Sequence, residues 1–227
     1  MSARTVPDAD AYLPPPDRGL DVLHVEPAFV VLAKPPGLLS EPGRGPDKRD
    51  SLLVRAQAVY PDARIVHRLD MMTSGVIVLA RETGAHATLS AAFRERHVDK
   101  RYEALVHGRP ARDEGEIDLP LVVDWPNRPR QVVCHATGKP SLTRYRVVGE
   151  TALDGVGPLA RIALAPVTGR THQLRVHLAA LGCPIAGDPF YGRADDGAAR
   201  MMLHACRLDF AHPLTSAALS FASPVPF

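Results

Sequence analysis

The feature that most constrains this fold is a short apolar run at residues 76–80, which contains no charged or polar side chain. Most of its residues are β-branched, and a run of this length and composition predicts a buried strand. A Thr-Ser-Gly cluster directly before it, at residues 73–75, is typical of a turn. Residues 67–72 are therefore expected on a loop that leads into the core, where a rigid strand can hold functional side chains at a cleft.

Asp70 is the acidic residue of this loop, and local sequence leaves two interpretations of it open. An Asp just before such a turn commonly accepts backbone N–H bonds and does nothing else. However, His67, Arg68 and two methionines crowd the same loop, and a plain turn needs none of them. Asp70 is therefore a candidate for chemistry as well as a turn former.

Composition limits the class of protein and its compartment. With 227 residues, 45% of them apolar, the chain can bury a sizeable core as one domain or two small ones. The three cysteines form no close pair, which argues against a disulfide framework or a zinc site and suits a reducing cytoplasm. No apolar run approaches the roughly 18 residues of a membrane span. The proline-rich, acidic start has no signal-peptide pattern, and residues 1–19 are expected to form a loosely ordered leader.

Short β-runs dominate the rest of the chain, with about three helices between them, so the sequence predicts an α+β fold. Tyr102 alternates with Ala104 and Val106 in one predicted strand and should point inward with them. The other expected elements are a hairpin at 21–33, a helix capped by Ser51, a helix at 85–96 capped by Thr83, a strand at 159–165, and a helix capped by Thr171 and stopped by Gly182.

A second candidate surface is the stretch from residue 125 to 149, which contains five Arg or Lys residues and no acidic one. It opens on an irregular loop that carries Trp125, Arg128 and Arg130. An aromatic ring among arginines suits splayed single-stranded bases and their phosphates. The alternative is an ordinary solvated loop whose Trp anchors it to the core. A second basic group, at residues 94–101, is either a solvated helix end or a phosphate contact.

Other motif interpretations fail. The His-Arg-Leu-Asp string lacks the glycine-rich loop and the Asp-Phe-Gly that a kinase requires. A Gly-x-Gly-x-x-Ala string at 155–160 is followed by a strand pattern where a dinucleotide site needs a helix. The histidines show no metal-ligand spacing, so no metal is expected.

Six ordered motifs carry a family resemblance. The string His-Arg-Leu-Asp-x-x-Thr-Ser-Gly at 67–75 resembles the catalytic motif of the RluA family of pseudouridine synthases. The others are Lys-Pro-x-Gly at 34–37, Lys-x-Tyr-x-Ala at 100–104, Gly-Arg-x-His-Gln-Leu-Arg-Val-His at 169–177, Gly-Asp-Pro-Phe-Tyr-Gly at 187–192 and Leu-His-Ala at 203–205. The resemblance spans residues 20–227, which it implies are one catalytic domain without an appended RNA-binding module.

The resemblance implies a role for each matching residue. Asp70 would be the nucleophile, Tyr102 would lie beside it, and Arg175 would pair with it. Lys34 is the residue of its proline-rich turn for which more than a turn role stays open. The expected RNA-binding residues are His67, Arg68, Trp125, Arg128, Arg130, Arg170 and His172. The implied fold is a mixed, mainly antiparallel sheet platform with flanking helices and a central RNA cleft.

The function implied is isomerisation of uridine to pseudouridine in stem-loops of 23S ribosomal RNA and in the anticodon stem-loop of tRNA. The reaction has no net redox change and no hydrolysis, so no cofactor is expected, and the enzyme should be a cytoplasmic monomer that binds RNA and no membrane. Whether Asp70 attacks the sugar, attacks the ring or removes a proton stays open. The alternative is a non-catalytic RNA-binding or RNA-folding module on the same scaffold.

Overall fold

The structure, a computed structural model, describes residues 12–227 and confirms the α+β fold. Its strands are β1 (Val22–Val25), β2 (Phe29–Lys34), β3 (Arg64–Ile65), β4 (Ser74–Ala80), β5 (Asp99–His107), β6 (Glu114–Asp118), β7 (Leu121–Val123), β8 (Gln131–Val133), β9 (Leu142–Leu153), β10 (Gly157–Pro166), β11 (Leu203–Ala211) and β12 (Ala218–Ala222). Its α-helices are α1 (Leu52–Val59), α2 (Thr83–Glu95) and α3 (Gln173–Ala180). Within the described residues, no helix is long and apolar enough to cross a membrane.

Ten strands form one mainly antiparallel sheet in the order β1-β2-β4-β11-β5-β10-β9-β6, with β3 beside β4 and β12 beside β11. The parallel pair β4 and β11 lies in its middle. Gly75 pairs with Ala205 at a φ of 114°, and a Cβ there would lie 2.1 Å from the carbonyl oxygen of Ala205. Only glycine fits both requirements. The loop that carries Asp70 therefore enters the sheet at its centre.

The predicted strand at residues 76–80 is confirmed as part of β4, whose seven residues are all buried. Ile77 and Leu79 pack with α1 on one face of the sheet, and Val76 and Val78 pack with α2 on the other. A strand covered on both faces needs a continuous apolar run rather than an alternating one. This burial makes β4 a rigid support for the loop before it.

The predicted helix caps had mixed outcomes. Ser51 caps α1 as predicted, since its hydroxyl accepts a hydrogen bond from the N–H of Val54. The Thr83 prediction was wrong: helix α2 begins at Thr83 itself, whose hydroxyl accepts a bond from Arg64 instead. Thr171 was also wrong as a cap, because α3 begins two residues later. The N-cap position is held by His172, without a side-chain capping bond, and the side-chain oxygen of Gln173 accepts the N–H of Arg170 at 3.0 Å, in the turn before the helix.

The predicted leader lies partly outside the described residues, which begin at 12. Residues 12–19 contain no helix or strand but are tied to the domain. The hydroxyl of Tyr12 accepts the N–H of Leu39 at 3.0 Å, and Arg55 of α1 donates to the carbonyl of Pro15 at 2.6 Å. This segment thus packs beside the loop 39–50 and forms part of one wall of the cleft described next.

Candidate active site

One large cleft, of about 1480 Å³, lies along the face of the sheet. It brings together residues that are far apart in the chain, from the β3–β4 loop, β5, the β7–β8 loop and the start of α3. The predicted site residues that line it are His67, Arg68, Asp70, Tyr102, Arg128, Arg170, His172 and Arg175. Trp125 and Arg130 are not among the residues that line it.

Asp70 and Arg175 meet in this cleft. Nη1 of Arg175 lies 3.4 Å from Oδ2 of Asp70, and the Arg175 side chain is only 2% exposed whereas that of Asp70 is 26% exposed. The carboxylate thus reaches the cleft while its partner comes from the protein interior. This geometry suits a charged group that must act on a substrate, because the buried cation offsets the cost of taking the carboxylate out of water.

A second carboxylate, Asp188, holds Arg175 more tightly than Asp70 does. Its oxygens accept from Nε of Arg175 at 2.7 Å and from Nη2 at 2.8 Å, which is a bidentate pair. The rings of Phe190 and Tyr191 lie 5.3 Å and 5.1 Å from the guanidinium carbon. Sequence reasoning assigned none of these three residues a role. The sequence feature that could have indicated them is the Gly-Asp-Pro turn, which belongs to one of the motifs of the family resemblance.

Tyr102 lies on β5, packs against two core clusters as its predicted inward direction requires, and lines the cleft. Burial raises the pKa of its hydroxyl, and the charge of Asp70 adds to the shift. The hydroxyl is therefore fully protonated at neutral pH. A neutral phenol beside the carboxylate offers an aromatic face for a base and a proton that it can donate.

Lys34 is almost fully buried, at 1% exposure, and its ammonium group donates to three backbone carbonyls. The acceptors are Pro35 at 2.9 Å, Leu38 at 2.6 Å and Met71 at 2.9 Å. Burial lowers the pKa of Lys34 to about 7, and the nearby charge of Asp70 opposes that shift. Its role is more than that of a turn residue, since it ties the turn after β2 to the residue next to Asp70.

The two predicted histidines are structural in their contacts. Nε2 of His67 accepts the N–H of Val78 at 3.1 Å, and its ring stacks on Phe93 with centroids 4.1 Å apart. Nδ1 of His172 is hydrogen-bonded to the hydroxyl of Tyr191 at 2.8 Å. Burial lowers the pKa of His67 to about 3 and that of His172 to about 4. Both rings are therefore neutral at pH 7, and their contact with RNA would not be that of a cation.

The arginines at the rim of the cleft are more exposed than Arg175. Arg68 is 63% exposed and forms an ion pair of 2.7 Å with Glu41, which lies on the loop after β2. Arg170 is also exposed and donates weakly, at 3.4 Å, to the carbonyl of Pro140. Exposed ion pairs contribute little to stability, so both side chains can be recruited by a charged ligand at small cost.

The loop between β7 and β8 presents Trp125 to solvent, with 66% of the residue exposed. The interpretation of this Trp as an anchor to the core is therefore wrong. The guanidinium of Arg128 lies 4.6 Å from its ring, and that of Arg130 lies 5.5 Å from the ring of Tyr191. Tyr191 is the actual anchor, because its hydroxyl accepts the N–H of Gln131 at 2.7 Å.

Part of the positive charge after residue 125 is neutralised in space. Arg144, on β9, forms an ion pair of 2.8 Å with Glu116 on the neighbouring strand β6. Fewer unpaired positive side chains are therefore present in this stretch than the linear sequence indicates. Among the described residues, no group of three His, Cys, Asp or Glu side chains is arranged to hold a metal ion.

Comparison with known proteins finds similarity to RNA pseudouridine synthases. The family described as RNA pseudouridylate synthase matches residues 28–180. The dual-specificity RNA pseudouridine synthase RluA of Escherichia coli K12 is 49% identical over 218 residues, which are 95% of this chain and 98% of that protein. The protein of the same name from Pasteurella multocida is 46% identical over 219 residues, 96% and 98% of the two chains.

Solved structures show the same fold. Human RNA pseudouridylate synthase domain containing 1 superposes with a TM-score of 0.77 at 30% identity, covering 95% of this chain and 87% of that one. Human RNA pseudouridylate synthase domain containing 4 gives a TM-score of 0.70 at 28% identity, with coverage of 92% and 89%. The predicted sheet platform with flanking helices is thereby confirmed.

Proposed function

The chain belongs to the RNA pseudouridylate synthase family, and on that basis we propose that its cleft modifies uridines in stem-loops of both 23S ribosomal RNA and tRNA. As a member of this family it is an isomerase that acts on RNA. The dual specificity rests on relatives whose names call them dual-specificity RNA pseudouridine synthases and which match this chain over 95% or more of its length, and the two RNA classes are those that the family resemblance implies. For tRNA, the anticodon stem-loop is the proposed substrate.

One observation carries the assignment of the site: a partly exposed Asp70 lies in the cleft with the buried Arg175 at 3.4 Å, and the neutral hydroxyl of Tyr102, on β5, lines the same cleft. A protein that only binds RNA does not need a buried cation behind a carboxylate. The complete set of three residues therefore favours the enzyme over the non-catalytic module on the same scaffold.

The proposed reaction begins with cleavage of the glycosidic bond. The bond between the sugar and ring nitrogen 1 of uracil breaks, and positive charge develops on the sugar. A carboxylate is the side chain that other glycoside-cleaving enzymes use against such charge. We assign this part to Asp70, which has the guanidinium of Arg175 beside it. Uracil then turns, ring carbon 5 bonds to the sugar, the proton of carbon 5 leaves, and ring nitrogen 1, which left the sugar with the electron pair, takes up a proton. The product is therefore an isomer of the starting uridine, and atoms and charge balance without a cofactor.

Tyr102 is assigned two tasks in this reaction. Its ring can stack on the uracil while the base turns, and its hydroxyl can take part in proton transfer. The protonated hydroxyl at neutral pH suits donation rather than abstraction. Asp70 thus supplies the negative charge, Arg175 stabilises that charge, and Tyr102 positions the base.

The target uridine must leave its stack before this chemistry can begin, at a cost of roughly a few kcal/mol. Arg68 is exposed at the mouth of the cleft and is proposed to fill the vacated space or to hold a phosphate. Trp125, Arg128, Arg130 and Arg170 are proposed to grip the surrounding bases and phosphates. His67 and His172 line the same cleft and would contact RNA as neutral rings.

We also propose that the enzyme works as a metal-independent monomer in the cytoplasm. Asp70, Tyr102 and Arg175 all come from one chain, and the chemistry requires no Lewis acid. The three free cysteines suit a reducing compartment. Activity that survives exhaustive EDTA treatment, in a species that sediments as a monomer, is the expected result.

The test uses stem-loops that carry tritium on carbon 5 of uridine, because pseudouridine formation must release that label to water. We expect release from both a 23S ribosomal stem-loop and a tRNA anticodon stem-loop, with one pseudouridine found for each tritium released. Mapping pseudouridine in cellular RNA with and without the gene identifies the sites. Release from one RNA class alone would contradict the dual specificity, and RNA binding without any release would favour the non-catalytic module.

A further inference from the structure

We propose that Asp188 is a positioning residue, which fixes the guanidinium of Arg175 so that only one of its nitrogens is presented to Asp70. This inference rests on the proposed function. Asp188 does not line the cleft, and its side chain is 0% exposed, so it would act through Arg175 and would not touch the RNA.

The lengths of the hydrogen bonds show which carboxylate determines the orientation of Arg175. Nε and Nη2 bind Asp188 at 2.7 Å and 2.8 Å, whereas Nη1 reaches Asp70 only at 3.4 Å. Planar bidentate pairing is both stronger and more directional than a single long contact. The orientation of Arg175 is therefore determined by Asp188, and only Nη1 is presented to Asp70.

The turn that carries Asp188 is built independently of Arg175. Oδ1 of Asp188 also accepts the backbone N–H groups of Phe190 at 2.9 Å and Tyr191 at 3.1 Å. Gly187 has a φ of 73°, and a Cβ there would lie 2.1 Å from the carbonyl oxygen of Arg200. The carboxylate is thus held by backbone contacts on its own turn and is not free to follow a moving arginine.

Aromatic rings restrict the guanidinium further. Phe190 and Tyr191 come from the same turn, and both of their rings lie within about 6 Å of the guanidinium carbon, the range of a cation–π contact. Tyr191 is itself fixed by hydrogen bonds to Gln131 and His172. One short turn, at residues 187–192, therefore supplies the carboxylate and both rings that surround Arg175.

This arrangement has a consequence for Asp70. A guanidinium free to rotate would form the stronger bidentate pair with Asp70 and would engage both of its oxygens. Because Asp188 already occupies Nε and Nη2, Asp70 keeps an oxygen available for the substrate while it still has a cation beside it. Loss of Asp188 should therefore slow the chemical step and leave the affinity for RNA almost unchanged.

The test compares Asp188→Asn with a matched control, Asp196→Asn. Asp196 lies on the same loop, its side chain is 7% exposed, and it also accepts backbone N–H groups, but its side-chain partner is His107 and not Arg175. We expect the single-turnover rate at saturating RNA to fall roughly 10- to 100-fold in Asp188→Asn, as for other displaced catalytic groups. The dissociation constant for RNA should stay as in the wild type, and Asp196→Asn should retain the wild-type rate.

Asp188→Glu keeps the charge and moves it by one methylene, so it should fold even where the Asn variant does not, with a rate between those of Asp188→Asn and the wild type. A wild-type rate in folded Asp188→Asn, or in Asp188→Glu if the Asn variant fails to fold, would overturn the inference. An equal loss of rate in Asp196→Asn would also overturn it, since the effect would then belong to the loop as a whole. Wild-type protein that releases no tritium from either RNA would instead contradict the proposed function.

Discussion

Two of the arginines that line the cleft, Arg175 and Arg128, each lie over an aromatic ring, in opposite surroundings. At the base of the cleft, Arg175 is 2% exposed, lies over Tyr191 and is paired with two carboxylates. On the β7–β8 loop, Arg128 lies over the solvent-exposed Trp125. The first guanidinium has no freedom and the second is open to any anion that approaches.

The difference shows how one cleft can combine chemistry with capture of a large polyanion. A buried ion network keeps catalytic groups in one geometry and strengthens each electrostatic contact. An exposed arginine beside a ring can instead follow the varied surface of a folded RNA. Tyr191 joins the two regions, because it contacts Arg175 and Arg130 and anchors the β7–β8 loop through Gln131.

The largest expected difference between the two regions is in stability and activity after loss of the arginine. Arg175→Met leaves the fully buried Asp188 without its cation, which should lower the free energy of unfolding by roughly 3–5 kcal/mol. It should also abolish pseudouridine formation. Arg128→Met, at the exposed site, should change the stability by no more than about 0.5 kcal/mol. Urea denaturation of both variants measures the contrast, and equal losses of stability would contradict it.

A smaller expected effect is the acid sensitivity of the buried region. Burial lowers the pKa of His172 to about 4, whereas an unfolded chain titrates near 6.5. The unfolded state therefore binds more protons between these values, and stability should fall as the pH drops from about 6.5 to 4, by at most about 3 kcal/mol from this residue. His172→Asn should reduce the dependence of the unfolding free energy on pH in this range.

His135→Asn is the control for this pH experiment, because that ring lies exposed after β8, outside the buried region. We expect it to leave the pH dependence as in the wild type. If the two histidine variants gave the same curve, the buried contact of His172 with Tyr191 would not be the source of acid sensitivity.

The exposed region should affect RNA binding and leave the chemistry alone. Replacing Arg128 and Arg130 with Ala should weaken RNA binding and lower the slope of log affinity against log salt by roughly one to two units, at about 0.7 for each single-strand phosphate contact. The single-turnover rate at saturating RNA should change much less, since neither residue is proposed to touch the uracil. A titration at several salt concentrations separates these effects.

Arg144→Ala is the matched control for the salt titration. Arg144 belongs to the same acid-free stretch but is already paired with Glu116 at 2.8 Å. It should leave the slope unchanged. An unaltered slope in the Arg128 and Arg130 double variant would mean that the loop is ordinary solvated surface, and the basic group at residues 94–101 would then be the candidate RNA path.

Local patterns were enough to predict much of the fold. The apolar run at 76–80, the cap at Ser51 and the alternation around Tyr102 depend on neighbours in sequence, and the structure confirms all three. Thr83 failed as a cap because α2 begins at Thr83 itself, whose hydroxyl binds Arg64. Thr171 failed because α3 begins at Gln173, with His172 in the N-cap position.

The contacts between distant segments were beyond such patterns. Asp188 is 13 residues from Arg175, and nothing in its own turn shows that an arginine side chain will arrive there. The one-signed charge after residue 125 misled for the same reason, since Glu116 comes from a neighbouring strand. Which residues share a site is decided by the topology, and here the family resemblance supplied the pairing of Asp70 with Arg175 that spacing alone could not.

The central claim is that the buried region performs the chemistry and the exposed region holds the RNA, and Asp70→Asn tests it most directly. The substitution keeps the shape of the side chain and removes its charge. RNA affinity and tritium release should be measured on the same stem-loop for this variant, the wild type and the Arg128 and Arg130 double variant. We predict that Asp70→Asn binds RNA as the wild type does and forms no detectable pseudouridine. Substantial turnover by the Asn variant would contradict the assignment of the chemistry to Asp70.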